Sequence, residues 1–302
     1  MDPEGETVAM KVPVLVEPLA LEALRKTRPV VIIDTRHATT HASGHIPGAV
    51  NLRDIFTFLI EDSRPETLRR MQPALAEALG RAGLSGREIA VVYEETLDSG
   101  YGQSCRAYLL LRQLGYPQVA ILHGGYRAWT DAGLPVSSEL PRPAPRAFPL
   151  SAGTRMLVDS DEMLRALDDP RIVKLDVRDR DEWLGRSASP YGVDDCPRKG
   201  RIPGAVWLEW YRVMDRDSVV PRFRSRDEIL AACADIGLDP DDTVYVYCFK
   251  GSRAALVTVA LTQVGFHDAR TYFASWNAWS RNPALPIDAG VAGPGRVAAL
   301  DH

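Results

Sequence analysis

The chain repeats itself. Five segments of its first half return in the same order in its second half. VVIIDTR (Val30–Arg36) returns as IVKLDVR (Ile172–Arg178), and GHIPGAVNL (Gly44–Leu52) as GRIPGAVWL (Gly200–Leu208). IAVVYE (Ile89–Glu94) returns as TVYVYC (Thr243–Cys248), and RAYLLLRQLGY (Arg106–Tyr116) as RAALVTVALTQVGF (Arg253–Phe266). YRAWTDAGLPV (Tyr126–Val136) returns as WNAWSRNPALPI (Trp276–Ile287). Chance produces one such match but not five in register, so the chain is a tandem of two related domains. Its 302 residues suffice for two domains of ordinary size. Between the repeats lies SSELPRPAPRAFPLSAG (Ser137–Gly153), rich in Pro and Ser and without apolar period. Such composition reads as an extended, semi-rigid connector. The expected layout is a first domain over 1–140, a connector over 141–155 and a second domain over 156–302.

Each half alternates strand and helix. In the second, MLVD (Met156–Asp159) reads as a short strand, and SDEMLRALDD (Ser160–Asp169) as a helix with Ser160 as its N-cap. RIVKLDVR (Arg171–Arg178) is short and β-branched, as a buried strand is. SRDEILAACADIGL (Ser225–Leu238) opens with a Ser225/Glu228 capping box and closes at Gly237. TVYVYC is a strand, SRAALVTVALTQVG (Ser252–Gly265) a helix, ARTYF (Ala269–Phe273) a strand and SWNAWSR (Ser275–Arg281) a short helix. This alternation predicts an α/β fold in which each domain is a mainly parallel sheet with helices on both faces. Ligands of such sheets sit at the carboxyl ends of strands, where Cys248 falls.

A net charge of −4 leaves no electrostatic footprint for nucleic acid and no polybasic segment for a membrane surface. No apolar stretch approaches the roughly 20 residues of a membrane helix. The opening MDPEGETVAMKVP lacks a charged region followed by an apolar one, so no secretory signal is expected. The four cysteines, Cys105, Cys196, Cys233 and Cys248, are scattered and form no C-x-x-C pair. Neither a disulfide framework nor a structural zinc site is expected, and the composition is that of a reduced, cytoplasmic protein.

Cys248 opens a distinctive loop, Cys248-Phe249-Lys250-Gly251-Ser252-Arg253. The chain must turn sharply there from strand to helix, and Gly251 permits a positive φ. Consecutive backbone N–H groups then face one centre as an anion-binding nest, and the helix start adds its positive end. Lys250 and Arg253 add full charges. A thiol in such surroundings ionises readily, and the same donors steady an anion bonded to its sulfur, such as a persulfide or a phosphoryl adduct. A buried cysteine is more often mere core, and the cationic glycine loop is what separates this one from that reading. The equivalent strand of the first half ends at Glu94, followed by the longer ETLDSGYGQSC (Glu95–Cys105). A carboxylate is no sulfur nucleophile and repels anions. One half is therefore expected to be active and the other silent, walling the cleft.

These residues resemble the rhodanese (sulfurtransferase) family in its two-domain form, from about Pro13 to Ile287. The resemblance is carried by GHIPGAV, PRKGRIPGAV, the D-x-R strands, CFKGSRA and SWNAWS. It implies a catalytic Cys248 in the C-terminal domain, a degenerate N-terminal domain and no cofactor or metal. It also implies transfer of sulfane sulfur from thiosulfate to cyanide or a thiol acceptor through a Cys248 persulfide. Phe249, Lys250, Gly251, Ser252 and Arg253 would form the substrate loop. Partners would be small-molecule donors and acceptors, and thiol-bearing proteins. Thiosulfate-using members resemble C-R-K-G-V-T after the strand, and mercaptopyruvate-using members C-G-S-G-V-T. This loop keeps a cation at Lys250 and so favours thiosulfate, with 3-mercaptopyruvate as the alternative donor and a persulfide relay between proteins as the alternative role. Two-domain members carry a substrate-binding Arg after the D-x-R strand, where this chain has Glu182. Arg180, Arg198 and Lys199 are the residues expected to compensate. Arg178 is expected to pair within its own motif.

Other constellations are weaker. Cysteine phosphatases span Cys to Arg with a longer loop that encloses a tetrahedral group. His37, His41 and His45 recur at helical spacing, as metal ligands do, but Gly44 and Pro47 break that helix. GYGQSC (Gly100–Cys105) lacks the third glycine of a dinucleotide loop. Trp183, Trp276 and Trp279 are expected in the core or along the domain cleft, and Cys196 and Cys233 away from the chemistry.

Overall fold

The computed structural model describes residues 12–54, 64–190 and 196–289. Its frame is two five-stranded sheets. The first comprises β1 (Leu15–Val16), β2 (Val30–Asp34), β3 (Val50–Asn51), β4 (Ile89–Tyr93) and β5 (Val119–Leu122), in the order β1-β5-β4-β2-β3. The second comprises β6 (Leu157–Val158), β7 (Ile172–Asp176), β8 (Val206–Trp207), β11 (Thr243–Tyr247) and β12 (Asp268–Tyr272), in the order β6-β12-β11-β7-β8. Every neighbouring pair in both sheets is parallel. A two-stranded antiparallel ribbon, β9 (Met214–Asp215) with β10 (Arg222–Phe223), is inserted in the second half.

The central strands are buried on both faces, which is why they read as unbroken apolar runs. In β11, Val244 and Val246 join one apolar cluster while Tyr245 and Tyr247 join another on the opposite face. In β4, Ala90 and Val92 divide from Ile89, Val91 and Tyr93 in the same way. The shared cluster runs through both halves and includes the helices Gln103–Gln113 and Ser252–Val264, which pack on each other.

The repeat returns in its polar frame. Asp34 pairs in register with Tyr93, and Asp176 with Tyr247. Arg36 bonds Asp34 and the Gly44 carbonyl (2.7 Å), while Arg178 bonds Asp176 and the Gly200 carbonyl (2.8 Å). Their guanidiniums lie over the equivalent rings of Tyr126 (3.8 Å) and Trp276 (4.5 Å). Arg178 is fully buried and ion-paired within its motif.

Residues 141–155 carry neither helix nor strand. This segment runs along the first unit, with Arg146 N–H donating to the Gly80 carbonyl (2.8 Å) and Ser151 N–H to that of Leu114 (3.3 Å). One helix start differs from the sequence expectation. Asp159, not Ser160, caps Ser160–Arg165, accepting from Glu162 N–H at 2.7 Å, while its own N–H donates to Glu162 at 3.1 Å. β6 ends at Val158 and leaves Asp159 in the extended cap position, and the Ser160 hydroxyl bonds Tyr272 instead. The Ser225/Glu228 capping box forms as read. Among the described residues no helix is long and apolar enough to cross a membrane.

Candidate active site

β11 ends at Tyr247 and the next helix begins at Ser252, so Cys248 heads a turn of four residues. Gly251 takes φ +87°, and a Cβ there would stand 2.6 Å from the Phe273 carbonyl oxygen. Only glycine fits both conditions. The turn brings the Gly251 N–H onto Cys248 Sγ at 3.1 Å, so one amide of the nest already faces the sulfur. The loop is fastened from the far side. Cys248 N–H donates to Ser275 Oγ (3.2 Å), and the carbonyls of Cys248 and Phe249 accept from Trp276 N–H (3.0 Å) and Asn277 N–H (2.9 Å). Ser275 does this from a left-handed conformation, φ +55°, with its hydroxyl donating to the Tyr272 carbonyl. A non-glycine residue held there stores backbone strain beside Cys248. Nothing in the sequence singled out Ser275 beyond its place in SWNAWS.

Cys248 is 1% exposed and belongs to the shared apolar cluster, and it also borders open space. It lies at a cavity of about 740 Å³ lined from both units, within the size range of organic-ligand sites. Phe249, Lys250, Ser252, Arg253 and Asp179 line it from the second unit, and Arg36, His37, Arg53, Glu94, Tyr101 and Arg106 from the first. Phe249 is also buried in the apolar cluster with Tyr247 and Trp276.

Arg253 differs from expectation. Its guanidinium bonds both oxygens of Glu182 (2.8 and 3.2 Å) and meets Asp179 at 3.1 Å. Burial opposes its charge, but Glu182, the Cys248 sulfur and Asp179 outweigh burial and raise its pKa. Two carboxylates therefore cancel most of the charge it could offer an anion. The acid on the short helix Arg180–Trp183 and the base at the start of Ser252–Val264 answer each other. The three compensating cations are not brought to the sulfur. Arg198 donates to the carbonyls of Trp279, Ser280, Asn282 and Leu285, clamping the end of the last helix. Lys199 donates to the Arg186 carbonyl at 3.0 Å, and Arg180 lines a more open depression that adjoins the cavity through Asp179 and Pro190. Helix-end carbonyls are strong acceptors for a guanidinium, which explains the capture of Arg198.

The first unit shows what a filled nest looks like. Glu94, the counterpart of Cys248, accepts from the N–H groups of Gln103 (3.0 Å) and Ser104 (3.2 Å) at the start of Gln103–Gln113. Its carboxylate occupies the place an anionic ligand would take. Burial lifts its pKa to about 7 despite the bonds from Ser104 and Gln103 that pull it down. Burial, then Glu94, pushes the Cys105 thiol up, so this cysteine is a poor nucleophile. Burial likewise raises Cys196 to about 11 and Cys233 to about 12. His41 bonds Asp34 (2.9 Å) and His45 bonds the His41 and Glu139 carbonyls, so both serve the D-x-R frame. Trp183, Trp276 and Trp279 are buried.

The model of the rhodanese-like domain matches residues 17–132 and 159–282. A thiosulfate sulfurtransferase of Azotobacter vinelandii is 28% identical over 276 residues, 91% of this chain and 97% of that protein. One of Mus musculus is 29% identical over 82% of each chain. Among solved structures, the anaerobic ergothioneine biosynthesis enzyme of Chlorobium limicola with trimethyl histidine superposes with a TM-score of 0.80 at 25% identity, covering 92% of this chain and 71% of that one. A variant of EanB carrying a cysteine persulfide, in a tetrahedral intermediate state with ergothioneine, superposes with a TM-score of 0.77 at 25% identity, covering 92% and 71%.

Proposed function

The chain belongs to the rhodanese-like family of sulfurtransferases, and on that premise we propose that it takes sulfane sulfur from thiosulfate onto Cys248 and passes it to cyanide or a small thiol. The observation that carries this reading is the Gly251 N–H aimed at Cys248 Sγ at the floor of a cavity that also holds Lys250.

The Cys248 thiolate attacks the outer sulfur of thiosulfate. The new S–S bond forms as the bond to the sulfonate sulfur breaks, and its electron pair leaves with sulfite. The negative charge then rests on the terminal sulfur of the persulfide, where loop amides and the helix start can hold it, as an oxyanion hole holds oxygen. Cyanide attacks that terminal sulfur, thiocyanate leaves, and the thiolate returns. Splitting the transfer in two is ordinary nucleophilic covalent catalysis. Lys250 is the loop cation that greets the dianion. The names of the relatives in Azotobacter and mouse support thiosulfate as donor.

Intact mass after incubation with thiosulfate tests the proposal, with Cys248→Ser alongside. The wild type should gain the mass of one sulfur atom, lose it on adding cyanide, and the variant should gain nothing. Loading of Cys248→Ser would remove Cys248 as the carrier. Faster loading by 3-mercaptopyruvate would replace the donor, and a loaded protein that small acceptors fail to discharge would favour a relay between proteins.

A further inference from the structure

The first unit meets the reacting loop through a helix start of its own. Gly102 precedes Gln103–Gln113, and a Cβ on it would stand 2.7 Å from Leu256 Cβ and 3.1 Å from the Ser252 carbonyl oxygen. The N-terminal ends of the two central helices therefore abut at the cavity. Arg106, one turn into the first of them, is 2% exposed and lines the cavity that holds Cys248. Its guanidinium carbon lies 4.4 Å from the centre of the Phe273 ring. Phe273 is the residue whose carbonyl presses on Gly251. Arg106 is thus fixed beside the loop that carries the sulfur, by an aromatic face that steadies a cation.

The proposed reaction brings a dianion to a thiolate in a site shielded from water, where like charges repel strongly. Arg106 joins Arg36, Arg53, Lys250 and Arg253 around this cavity, where Arg253 also pairs with Glu182 and Asp179, and Arg36 with Asp34 and Glu95. We propose that Arg106, from the catalytically silent unit, is a positioning residue of the Cys248 site: its charge draws the anionic donor to Cys248 and steadies the anionic sulfur chain. This rests on the anionic donor proposed above. Burial lowers the Arg106 pKa to about 10 while the Cys248 sulfur raises it, so the two charges act on each other and the guanidinium stays cationic at neutral pH. The repeat carried a signal for it, since Arg106 is the counterpart of Arg253.

The test compares Cys248 alkylation by iodoacetate, an anion, with that by iodoacetamide, its neutral analogue, each followed at the Cys248 peptide. Wild type, Arg106→Met, Arg106→Gln and Arg106→Lys are compared, with circular dichroism as the folding check. The iodoacetate-to-iodoacetamide rate ratio should fall about tenfold in the Met and Gln variants, as expected for loss of one nearby charge at an effective dielectric of about 20. The Lys variant should stay within about twofold of wild type, because it keeps the charge. kcat/KM for thiosulfate should fall with the ratio. An unchanged ratio in a folded Met or Gln variant overturns the proposal, as does a Lys variant that behaves like Met. The alkylation ratio needs no thiosulfate. A wild type that thiosulfate fails to load, with a ratio that still falls in Arg106→Met, sinks the donor and leaves the role of Arg106 standing.

Discussion

Removing Glu182 should trade stability for donor affinity. Glu182 and Arg253 are 2% and 5% exposed, and two bonds of 2.8 and 3.2 Å join them. Glu182→Ala leaves a buried guanidinium facing Asp179 alone, whose side chain is 41% exposed. Deleting one partner of a buried pair costs about 3–5 kcal/mol, because the remaining charge is stranded. Asp179 softens the loss, so the lower end applies, about 3 kcal/mol. That is a large share of the about 5–15 kcal/mol that holds a typical protein folded. Replacing both partners with apolar residues of similar size, Glu182→Leu with Arg253→Met, should recover most of it, since neither charge is then buried.

Urea unfolding of Glu182→Leu, Arg253→Met and the double variant closes a mutant cycle, and a coupling of about 2–3 kcal/mol is expected for residues in direct contact. In the same Glu182→Ala protein, the Arg253 charge is no longer cancelled and adds to the field over the cavity. KM for thiosulfate should then fall severalfold. A Glu182→Ala variant within about 1 kcal/mol of wild type, or a double variant that loses the sum of the singles, would refute the buried-pair reasoning. An unchanged or raised KM would refute the charge cancellation separately.

Two further perturbations read the nests themselves. Glu94 is lifted to about 7, above the 4.5 of an ordinary Glu. An acid whose folded pKa is raised stabilises the native state below the unfolded pKa and loses that contribution as pH climbs through the folded value. The lift corresponds to about 3 kcal/mol at about 1.4 kcal/mol per pH unit, so Glu94→Gln should gain about that much on wild type between pH 4 and pH 8 in urea titrations. A pH-independent difference would show that folding leaves the Glu94 pKa unshifted. Gly251→Ala places a methyl 2.6 Å from the Phe273 carbonyl at φ +87°. It should cost about 1–3 kcal/mol in strain and slow persulfide loading more than tenfold while leaving helix content intact, as circular dichroism and loading kinetics would show.

The alternation of β-branched runs and capped helices made both sheets legible, because parallel strands buried on two faces leave a plain apolar signature. The sharp Cys248 turn was legible for a local reason, a glycine placed where strand must become helix. The Asp159 cap was mistaken for Ser160 by one residue because both side chains can cap, and only the end of β6 decides between them. What escaped was set by partners distant in the chain. PRKG looks like a set of free cations until the carbonyls of residues 279–285 fold over Arg198. Arg253 looks like an anion receptor until Glu182, separated from it by 71 positions, arrives at 2.8 Å. A charge's partner is a tertiary fact, and local pattern does not carry it.

The two nests explain how the first unit, whose strand end carries Glu94, still shapes the cavity. Each unit turns backbone N–H groups toward the residue that ends its strand: Gln103 and Ser104 toward Glu94 in the first, and Gly251 toward Cys248 in the second. In the first unit a carboxylate of the chain itself fills that point, and the helix start is capped whether or not the cavity holds an anion. In the second, the point is filled by sulfur, and its charge changes with each turnover in the proposed cycle. The helix capped by Glu94 is the one that abuts Ser252 and Leu256 and carries Arg106. The carboxylate that fills the first nest thus also caps the helix against which the second is packed.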